Sequence, residues 1–262
     1  SSTEELVDSF GAALSKRSYT IVISISNMNP DLGRKILSRF SNGMVDGVVN
    51  FLPPVSAEEA KKLCAPVPVV TFLRQDFAPI RIDYFNGTLK ALQHLWALGH
   101  RSIGIIADGP KVWITEHPAL TAYKKFMTER DAYNPKIVSH EIDLIGIQAG
   151  LDIAPMLWQN GATAIIAGEM TAIGVYQWAN NNVRIPQDLS IVSFDDSRLC
   201  LAMSPALTAM HVDMNLVAEH TVASLVSLIE EDGILSARTE AAIVPQTLVL
   251  RRSTAAPYFS RL

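Results

Sequence analysis

The sequence predicts an α/β fold built from two doubly wound subdomains, each a parallel β-sheet with helices on both faces. Three observations predict it. Short apolar segments rich in β-branched residues alternate with segments of helical periodicity along most of the chain. Buried strands that alternate with helices of this length imply parallel sheets covered on both faces. The last part of the chain, a long helix and an apolar β-rich stretch, must return to the two runs of alternating elements, so we expect several crossings between the subdomains.

The first run begins with an amphipathic helix over residues 4–17, whose apolar side chains recur at positions i, i+4, i+7 and i+8. Strands are predicted where β-branched residues cluster, over residues 20–26, 45–52 and 67–73. Helices are predicted after these strands, over residues 31–40, 57–64 and 86–98. Gly99 follows the last helix and is a typical residue for a helix C-terminus.

The second run has the same rhythm. Its strands are predicted over residues 103–107, 136–140, 164–167 and 189–194. Its helices are predicted over residues 118–130, 147–160 and 171–181. The tail follows with a long helix over residues 215–231, a stop at Asp232-Gly233 and the apolar stretch 241–251. The sequence contains neither a linker rich in proline and serine nor a short repeat.

The composition excludes several classes of protein. Of the 262 residues, 48% are hydrophobic and 18% charged, which provides for a sizeable core and rules out wholesale disorder. A formal net charge of −4 makes the chain as a whole a poor candidate for direct DNA contact, although it does not exclude a local basic patch. Cys64 and Cys200 allow one disulfide but not a disulfide-dependent scaffold. Because the chain has no apolar run of membrane-spanning length and an N-terminus unlike a signal peptide, we expect a soluble, cytoplasmic protein.

The sequence contains none of the local motifs that mark common catalytic or nucleotide-binding sites. Its six histidines are scattered, and with the cysteines they form no metal-ligand spacing. We therefore predict no catalytic residue, no metal site and no cofactor. The strongest acidic feature is Asp195-Asp196, directly after a predicted strand, at the end where ligands bind in open parallel sheets. We expect Asp195 to accept hydrogen bonds from a ligand and Asp196 to cap the following helix.

Three further residues have two interpretations each. Glu169 also follows a predicted strand, and it either contacts a ligand or complements the dipole of its own helix. Trp113 lies in a predicted loop, where its ring either stacks on a sugar or purine or anchors the loop on the surface. Arg74 closes a strand, and it either binds a ligand carboxylate or phosphate or pairs with Asp76 or Asp83.

Three segments carry a family resemblance. They are HLWALGHRSIGII at residues 94–106, NNVRIPQDLSIVSFDD at 181–196 followed by SPALTAMHVD at 204–213, and PQTLVLRRSTAAP at 245–257. In this order and at this spacing they resemble the effector-binding domain of the lactose/galactose repressor (LacI/GalR) family of bacterial transcription regulators. The resemblance covers essentially the whole chain.

That family's effector domain has the periplasmic-binding-protein type I fold, with two α/β subdomains, three crossings and a ligand cleft at the hinge. The resemblance implies an N-terminal subdomain of residues 1–101 plus 213–240 and a C-terminal subdomain of residues 102–212 plus 241–262. It also implies that a first strand and a DNA-binding helix-turn-helix domain precede this chain in the natural polypeptide. Family members are homodimers or tetramers, and the short tail here favours a homodimer.

The family's pocket positions are matched only in part. Asp195 occupies the position of the hydroxyl-binding aspartate. The usual polar groups of four other positions are replaced by Gly168-Glu169, Ala119, Leu73 and Val212. These replacements argue against a simple neutral sugar and favour a less polar, charged or aromatic ligand, or a degenerate pocket. The residues that we expect to line the pocket are Phe72, Trp113, Thr115, Glu169, Asp195, His211 and Met214. His211 has the alternative role of a hinge residue, and Met214 that of a core residue.

The sequence therefore predicts the ligand-sensing domain of a LacI-type regulator. A small-molecule effector (a sugar, a sugar derivative or a nucleobase-like compound) would bind between the subdomains and change the operator affinity of a dimer through its different affinities for two states. The alternative is a periplasmic solute-binding protein of a transporter, which shares the fold but lacks the GHRS and LRRSTA signatures. A third interpretation, an enzyme, would need a base and a nucleophile in the cleft, and the sequence contains no such pair.

Overall fold

The computed structural model describes residues 2–27, 29–51, 55–72, 80–107, 117–139, 146–180, 183–230 and 242–258. Apart from the first two residues, the chain divides into two compact units. The first unit comprises Thr3–Ile82 and Asp213–Val244, and the second comprises Asp83–Val212 and Pro245–Leu262. The chain thus passes from one unit to the other three times, and the predicted α/β class with three crossings is confirmed.

The described helices are α1 (Ser2–Ser15), α2 (Pro30–Phe40), α3 (Ala57–Cys64), α4 (Tyr84–Ala97), α5 (Pro118–Thr128), α6 (Ile147–Gln159), α7 (Glu169–Ala179), α8 (Arg198–Ala202) and α9 (Met214–Glu230). The described strands are β1 (Val48–Phe51), β2 (Val69–Phe72), β3 (Ile80–Ile82), β4 (Ile103–Ile106), β5 (Val138–Ser139), β6 (Ala164–Ala167), β7 (Ser190–Ser193), β8 (Thr208–Val212), β9 (Ala242–Val244) and β10 (Gln246–Val249). Three of these elements, β3, α8 and β8, are not among those predicted from the sequence.

The second unit is organised around a sheet in the order β10-β8-β7-β6-β4-β5. All neighbouring pairs are parallel except β10 and β8, which are antiparallel. Strands β4, β6 and β7 are completely buried, and apart from Ser190 and Ser193 at the two ends of β7 they consist of apolar residues and one glycine. Helices α6 and α7 contribute to one apolar cluster, which includes Leu157 and Val175, and helices α4 and α5 to another, which includes Leu95 and Phe126.

Two boundaries between the units differ from the sequence expectation. The expectation assigned residues up to 101 to the first subdomain, whereas the second unit begins at Asp83. The reason is that α4 buries its apolar face, including Leu92, in one cluster with Ile103 of β4. The later boundary lies after Val244 rather than after residue 240, because β9 pairs in parallel with β3 of the first unit.

In the described part of the first unit, the strands form two separate parallel pairs, β1–β2 and β3–β9. Val48 and Val69 pack in an apolar cluster with residues of α2 and α3. The alternate positions, Val49 and Val70, pack with residues of α9. Because successive side chains of a strand point to opposite faces, the pair β1–β2 is covered on both faces. Helix α1 packs on α9 through an apolar cluster that includes Phe10 and Val222.

The strand predicted over residues 20–26 is wrong. These residues have no regular secondary structure, and Ile21, Val22, Ile23 and Ile25 leave 39%, 69%, 54% and 70% of their surface exposed. β-Branched residues stabilise a strand only when neighbouring strands satisfy its backbone and cover its side chains. None of the described strands pairs with this segment. The local composition is therefore that of a strand, but the tertiary partner is missing.

Helices α6 and α7 meet backbone to backbone at two glycines. A Cβ atom on Gly174 would collide with the carbonyl oxygen of Ile147, and a Cβ atom on Gly150 with that of Thr171. Since the obstacles are backbone atoms rather than flexible side chains, the two helices would have to separate to admit a methyl group. In the parts of the chain that the structure describes, no helix has the length and apolar character needed to cross a membrane.

We expect Gly174→Ala to lower the free energy of unfolding by about 1–3 kcal/mol, because overpacking at this contact strains the core. Urea unfolding followed by circular dichroism measures the change. Gly11→Ala is the matched control, since Gly11 also lies inside a helix but has open space at its Cβ position. Alanine at residue 11 should stabilise the protein by up to about 1 kcal/mol. A similar stabilisation by both substitutions would contradict the close helix contact.

Candidate functional site

The carboxyl ends of β4, β6 and β7 lie at one edge of the second unit's sheet, the edge at which open parallel sheets bind ligands. Asp195 lies two residues beyond the end of β7, and Glu169 two residues beyond the end of β6. The backbone N–H of Glu169 is 3.5 Å from Asp195 Oδ2. The half-buried Asp195 carboxylate therefore lies at the N-terminus of α7, where the helix dipole favours a negative charge.

The backbone that carries Asp195 is held from two directions. The N–H of Asp195 donates to Ser193 Oγ at 3.1 Å. Gln246 Nε2 donates to the carbonyl oxygen of Phe194 at 3.1 Å, and Gln246 is itself buried. Gln246 lies against Gly87 of α4, and a Cβ atom on Gly87 would collide with the Gln246 side chain. These contacts fix the position of Asp195 before any ligand arrives, which reduces the ordering cost of binding.

Two aromatic side chains that the sequence analysis missed join this edge. Tyr84 is the first residue of α4, and its ring centroid is 5.1 Å from that of His117, with the two rings inclined by 55°. Burial, and secondly the negative charge of Asp195, raise the pKa of Tyr84. Its hydroxyl group therefore stays protonated at neutral pH and is available as a hydrogen-bond donor.

His117 is the N-cap residue of α5, and its Nδ1 accepts a hydrogen bond from the N–H of Ala119 at 3.2 Å. Burial lowers the pKa of His117, which favours the neutral ring. Because Nδ1 is an acceptor, the proton of the neutral ring lies on Nε2. The site thus combines a carboxylate acceptor, a phenol and an imidazole N–H. A histidine directly before Pro118 at a helix start is a sequence signal that could have indicated His117.

Asp196 does not cap the following helix, which corrects the sequence expectation. The cap of α8 is Ser197, whose Oγ accepts from the N–H of Leu199 at 3.2 Å. Asp196 instead forms a buried ion pair with Arg251, whose Nη2 lies 2.6 Å from Asp196 Oδ1. His211 Nδ1 is 3.5 Å from Asp196 Oδ2. The acidic side chain is therefore paired with residues far along the chain rather than with its own helix.

Glu169 is 4% exposed, and its carboxylate is engaged within the protein. Its Oε2 accepts from the N–H of Ser197 at 2.8 Å and from Cys200 Sγ at 3.5 Å. Burial and the neighbouring Glu169 raise the pKa of Cys200 to about 12, so its thiol stays protonated and can donate this bond. Glu169 thus holds the start of α8, a role that neither sequence interpretation included, and its contact with a ligand stays a prediction.

The other predicted pocket residues are distributed as follows. Phe72 ends β2 in the first unit. Met214 begins α9 in the first unit and packs against the α1–α9 cluster, as a core residue does. His211 lies on β8 of the second unit, opposite Thr247 of β10. Residues 113, 115 and 74 lie outside the described residues. The structure brings two residues of the predicted set, Asp195 and Glu169, together. His211 lies near them, because its Nδ1 is close to Oδ2 of Asp196, the residue after Asp195.

The chain is similar to known proteins along most of its length. A family profile described as a periplasmic binding protein-like domain matches residues 92–254. The chain is 26% identical over 250 residues to catabolite control protein A of Priestia megaterium, covering 90% of this chain and 73% of that protein. It is 26% identical over 217 residues to the lactose operon repressor of Escherichia coli (strain K12), covering 80% of this chain and 58% of the repressor. The chain therefore spans only part of each relative's length.

Among solved structures, the dimeric Lac repressor with an 11-residue C-terminal deletion matches with a TM-score of 0.80 at 22% identity, covering 97% of this chain and 94% of that one. This match establishes the likeness of fold. The named relatives are a control protein and a repressor, and neither is a transport protein. The alternative of a periplasmic solute-binding protein of a transporter is therefore not supported.

Proposed function

The chain belongs to the periplasmic binding protein-like domain family, and we propose that it is the effector-sensing domain of a LacI-type transcriptional regulator. Its named relatives are regulators rather than enzymes, and we infer likewise that this chain is a binding domain and not an enzyme. The observation that carries the proposal is the position of Asp195, at the carboxyl edge of the second unit's sheet, with its carboxylate at the N-terminus of α7 and its backbone held by Gln246.

The chemistry of this edge fits a sugar, a sugar derivative or a nucleobase-like effector. The Asp195 carboxylate accepts hydrogen bonds from ligand hydroxyl or amino groups. The rings of Tyr84 and His117 offer flat faces on which the C–H face of a sugar or a planar base can stack. Together they provide both a polar and an apolar contact, the usual composition of a small-molecule site.

Regulation follows from differential binding. An effector that binds one conformation of the domain more tightly shifts the population toward it, by no more than its difference in affinity. We infer from the family resemblance that a separate DNA-binding domain makes the DNA contact, and the net charge of −4 of this chain agrees with that division of roles. The regulator acts as a cytoplasmic homodimer, whose two-fold symmetry matches a palindromic operator.

Asp195→Asn is expected to abolish effector binding, because the amide replaces a charged acceptor with a group that also donates. The measurement is thermal melting against a panel of sugars, sugar phosphates, sugar acids and nucleobases, with glucose, cellobiose, gluconate and adenine among them. A ligand at 100 times its dissociation constant stabilises the wild type by about 2.7 kcal/mol, which raises the melting temperature by a few degrees. That rise should be absent in the variant.

Asp152→Asn is the matched control. Asp152 is an exposed aspartate of the same unit that accepts from Gln148 Nε2 on its own helix, at 2.9 Å. This control should keep the full ligand-induced rise. If Asp195→Asn kept the rise as well, the effector site would lie elsewhere and the proposal would be overturned.

A further inference from the structure

The peptide group between Phe194 and Asp195 is held at both of its ends by side chains. Its carbonyl oxygen accepts from Gln246 Nε2 at 3.1 Å, and its N–H donates to Ser193 Oγ at 3.1 Å. The pairing of β7 with both neighbouring strands ends at Ser193, so the sheet no longer orients this peptide group. Because a peptide group is planar, the two side-chain bonds determine its plane and with it the direction in which the Asp195 side chain leaves the backbone.

The position of Gln246 is determined by α4. Its main-chain carbonyl oxygen accepts from Lys90 Nζ at 2.8 Å. Its amide lies against Gly87, which is three residues earlier on the same helix and so faces the same side. The three atoms nearest to a Cβ atom placed on Gly87 all belong to the Gln246 side chain. The missing side chain at residue 87 therefore makes the space that the amide of Gln246 occupies.

The amide of Gln246 has one possible orientation. The Phe194 carbonyl oxygen can only accept a hydrogen bond, so Nε2 must face it and Oε1 must point away. Oε1 is then buried without a hydrogen-bond partner in the described part of the protein, and Gln246 as a whole is 1% exposed. Since the amide makes one hydrogen bond and leaves one acceptor unpaired, its net contribution to stability is small. What the amide determines is the position of the Phe194 carbonyl group.

We propose that Gln246 is a positioning residue for effector binding, which acts through Asp195 rather than on the ligand itself. The proposal rests on the effector-sensing function and deepens it by naming a second residue on which affinity depends. With the hydrogen bond in place, the carboxylate is oriented before the ligand arrives. Without the bond the peptide group can rotate, and the affinity falls in proportion to the time that Asp195 spends in orientations that do not bind.

Two substitutions remove the hydrogen bond in different ways. Gln246→Met keeps the length and approximate volume of the side chain but has no N–H donor. Gly87→Ala keeps the amide in the sequence but displaces it, because the new methyl group takes its space. The displaced atoms are the far end of a flexible side chain, so this second variant tests the same bond independently of any folding defect in the first.

The first measurement needs no ligand. Hydrogen exchange followed by mass spectrometry, over a peptide that contains residues 194–199, reports how firmly this part of the backbone is held. We expect Gln246→Met and Gly87→Ala each to raise the exchange rate of this peptide about fivefold, because the peptide group loses one of its two bonds. An unchanged rate in both variants would overturn the positioning role, whichever compounds the protein binds.

The second measurement is isothermal titration. The probe is the compound among glucose, cellobiose, gluconate and adenine that gives the wild type the largest rise in melting temperature. Gln246→Met should bind this probe at least about tenfold more weakly than the wild type and should melt within about two degrees of it. Gly87→Ala should weaken binding as well.

Tyr123→Phe is the matched control. The buried Tyr123 hydroxyl group also donates to a main-chain carbonyl oxygen of the second unit, that of Ile103 at 2.6 Å. Ile103 is the first residue of β4, at the opposite end of the strand from the candidate site. This control should show the reverse pattern, with a lower melting temperature, unchanged exchange over residues 194–199 and an unchanged dissociation constant.

An unchanged dissociation constant in Gln246→Met would overturn the proposal, because the hydrogen bond would then be merely structural. A loss of affinity of the same size in Tyr123→Phe would overturn it too, since any weakening of the second unit would then impair binding. Persistence of binding in Asp195→Asn would instead count against the proposed function. The failure of the positioning role and the failure of the function are therefore distinct results.

Discussion

Replacing Arg251 by methionine is expected to lower the free energy of unfolding by about 3–5 kcal/mol, because it leaves the Asp196 carboxylate buried without its counter-charge. Only 12% of the Arg251 side chain and 7% of the Asp196 side chain are exposed. The guanidinium also donates to the carbonyl oxygen of Leu207 at 2.7 Å, and methionine cannot replace that bond. Chemical unfolding monitored by circular dichroism measures the loss.

The chain provides a control of the same chemistry at its surface. Arg184 contacts Asp188 at 2.7 Å, but 66% of the Arg184 side chain is exposed. Arg184→Met should therefore cost no more than about 1 kcal/mol. Combining Arg251→Met with Asp196→Leu should recover part of the loss, since the isolated charge is then removed as well. Equal, small losses for Arg251→Met and Arg184→Met would contradict a buried pair.

The second large effect is a loss of stability in weak acid that is due to His100. This residue is 1% exposed, and its Nε2 lies 2.9 Å from the carbonyl oxygen of Ala255 while its Nδ1 lies 2.9 Å from Thr163 Oγ1. Burial lowers the pKa of His100 to about 4. The unfolded chain binds a proton here near pH 6.5, so between these values only the unfolded state gains the proton. Stability should therefore fall by about 3 kcal/mol as the pH falls from about 6.5 to about 4, and this contribution is constant above that range.

Denaturation curves at several pH values separate the contribution of His100 to the free energy of unfolding from the contributions of the other titrating groups. His100→Gln should be less stable than the wild type at neutral pH but should lose less stability on acidification. His94 and His117, whose pKa values are also lowered by burial, leave a smaller slope of the same sign. His220→Gln, at an exposed position, controls for removal of a histidine. A slope that is the same in His100→Gln and the wild type would contradict the assignment.

The sequence predicted much of the second unit, but not α8 and β8, because many of the signals for its strands and helices are local. Strand β6 and helix α6 begin where expected, since a buried strand and an amphipathic helix can each be recognised from the pattern of consecutive residues. The segment 20–26 shows the limit of such signals. Its β-branched residues predict a strand, but a strand also needs a neighbour, and that is a property of the tertiary structure.

The candidate site likewise has features that the local sequence predicts and features that depend on the tertiary structure. Asp195 was predictable because a carboxylate after a buried strand has a known position in an open sheet. The partnership of Asp196 with Arg251 was not, because the two residues are brought together only when β10 pairs with β8. Tyr84 was missed for a related reason. Its place beside His117 depends on the packing of α4 next to α5, and nothing in the residues around it indicates that contact.

The discontinuity of both units also determines when they can fold during synthesis. After the ribosome has made residue 212, the second unit still lacks β10 and the segment whose Ser253 carbonyl oxygen accepts from the N–H of Ile191 in β7, at 2.8 Å. The contact between His100 Nε2 and the carbonyl oxygen of Ala255 likewise cannot form until that residue has been added. The first unit lacks α9 and β9 until residue 244 has been added. Neither unit can complete its core before these late segments have been made, so nascent chains expose apolar surface until then and need protection from aggregation over that time.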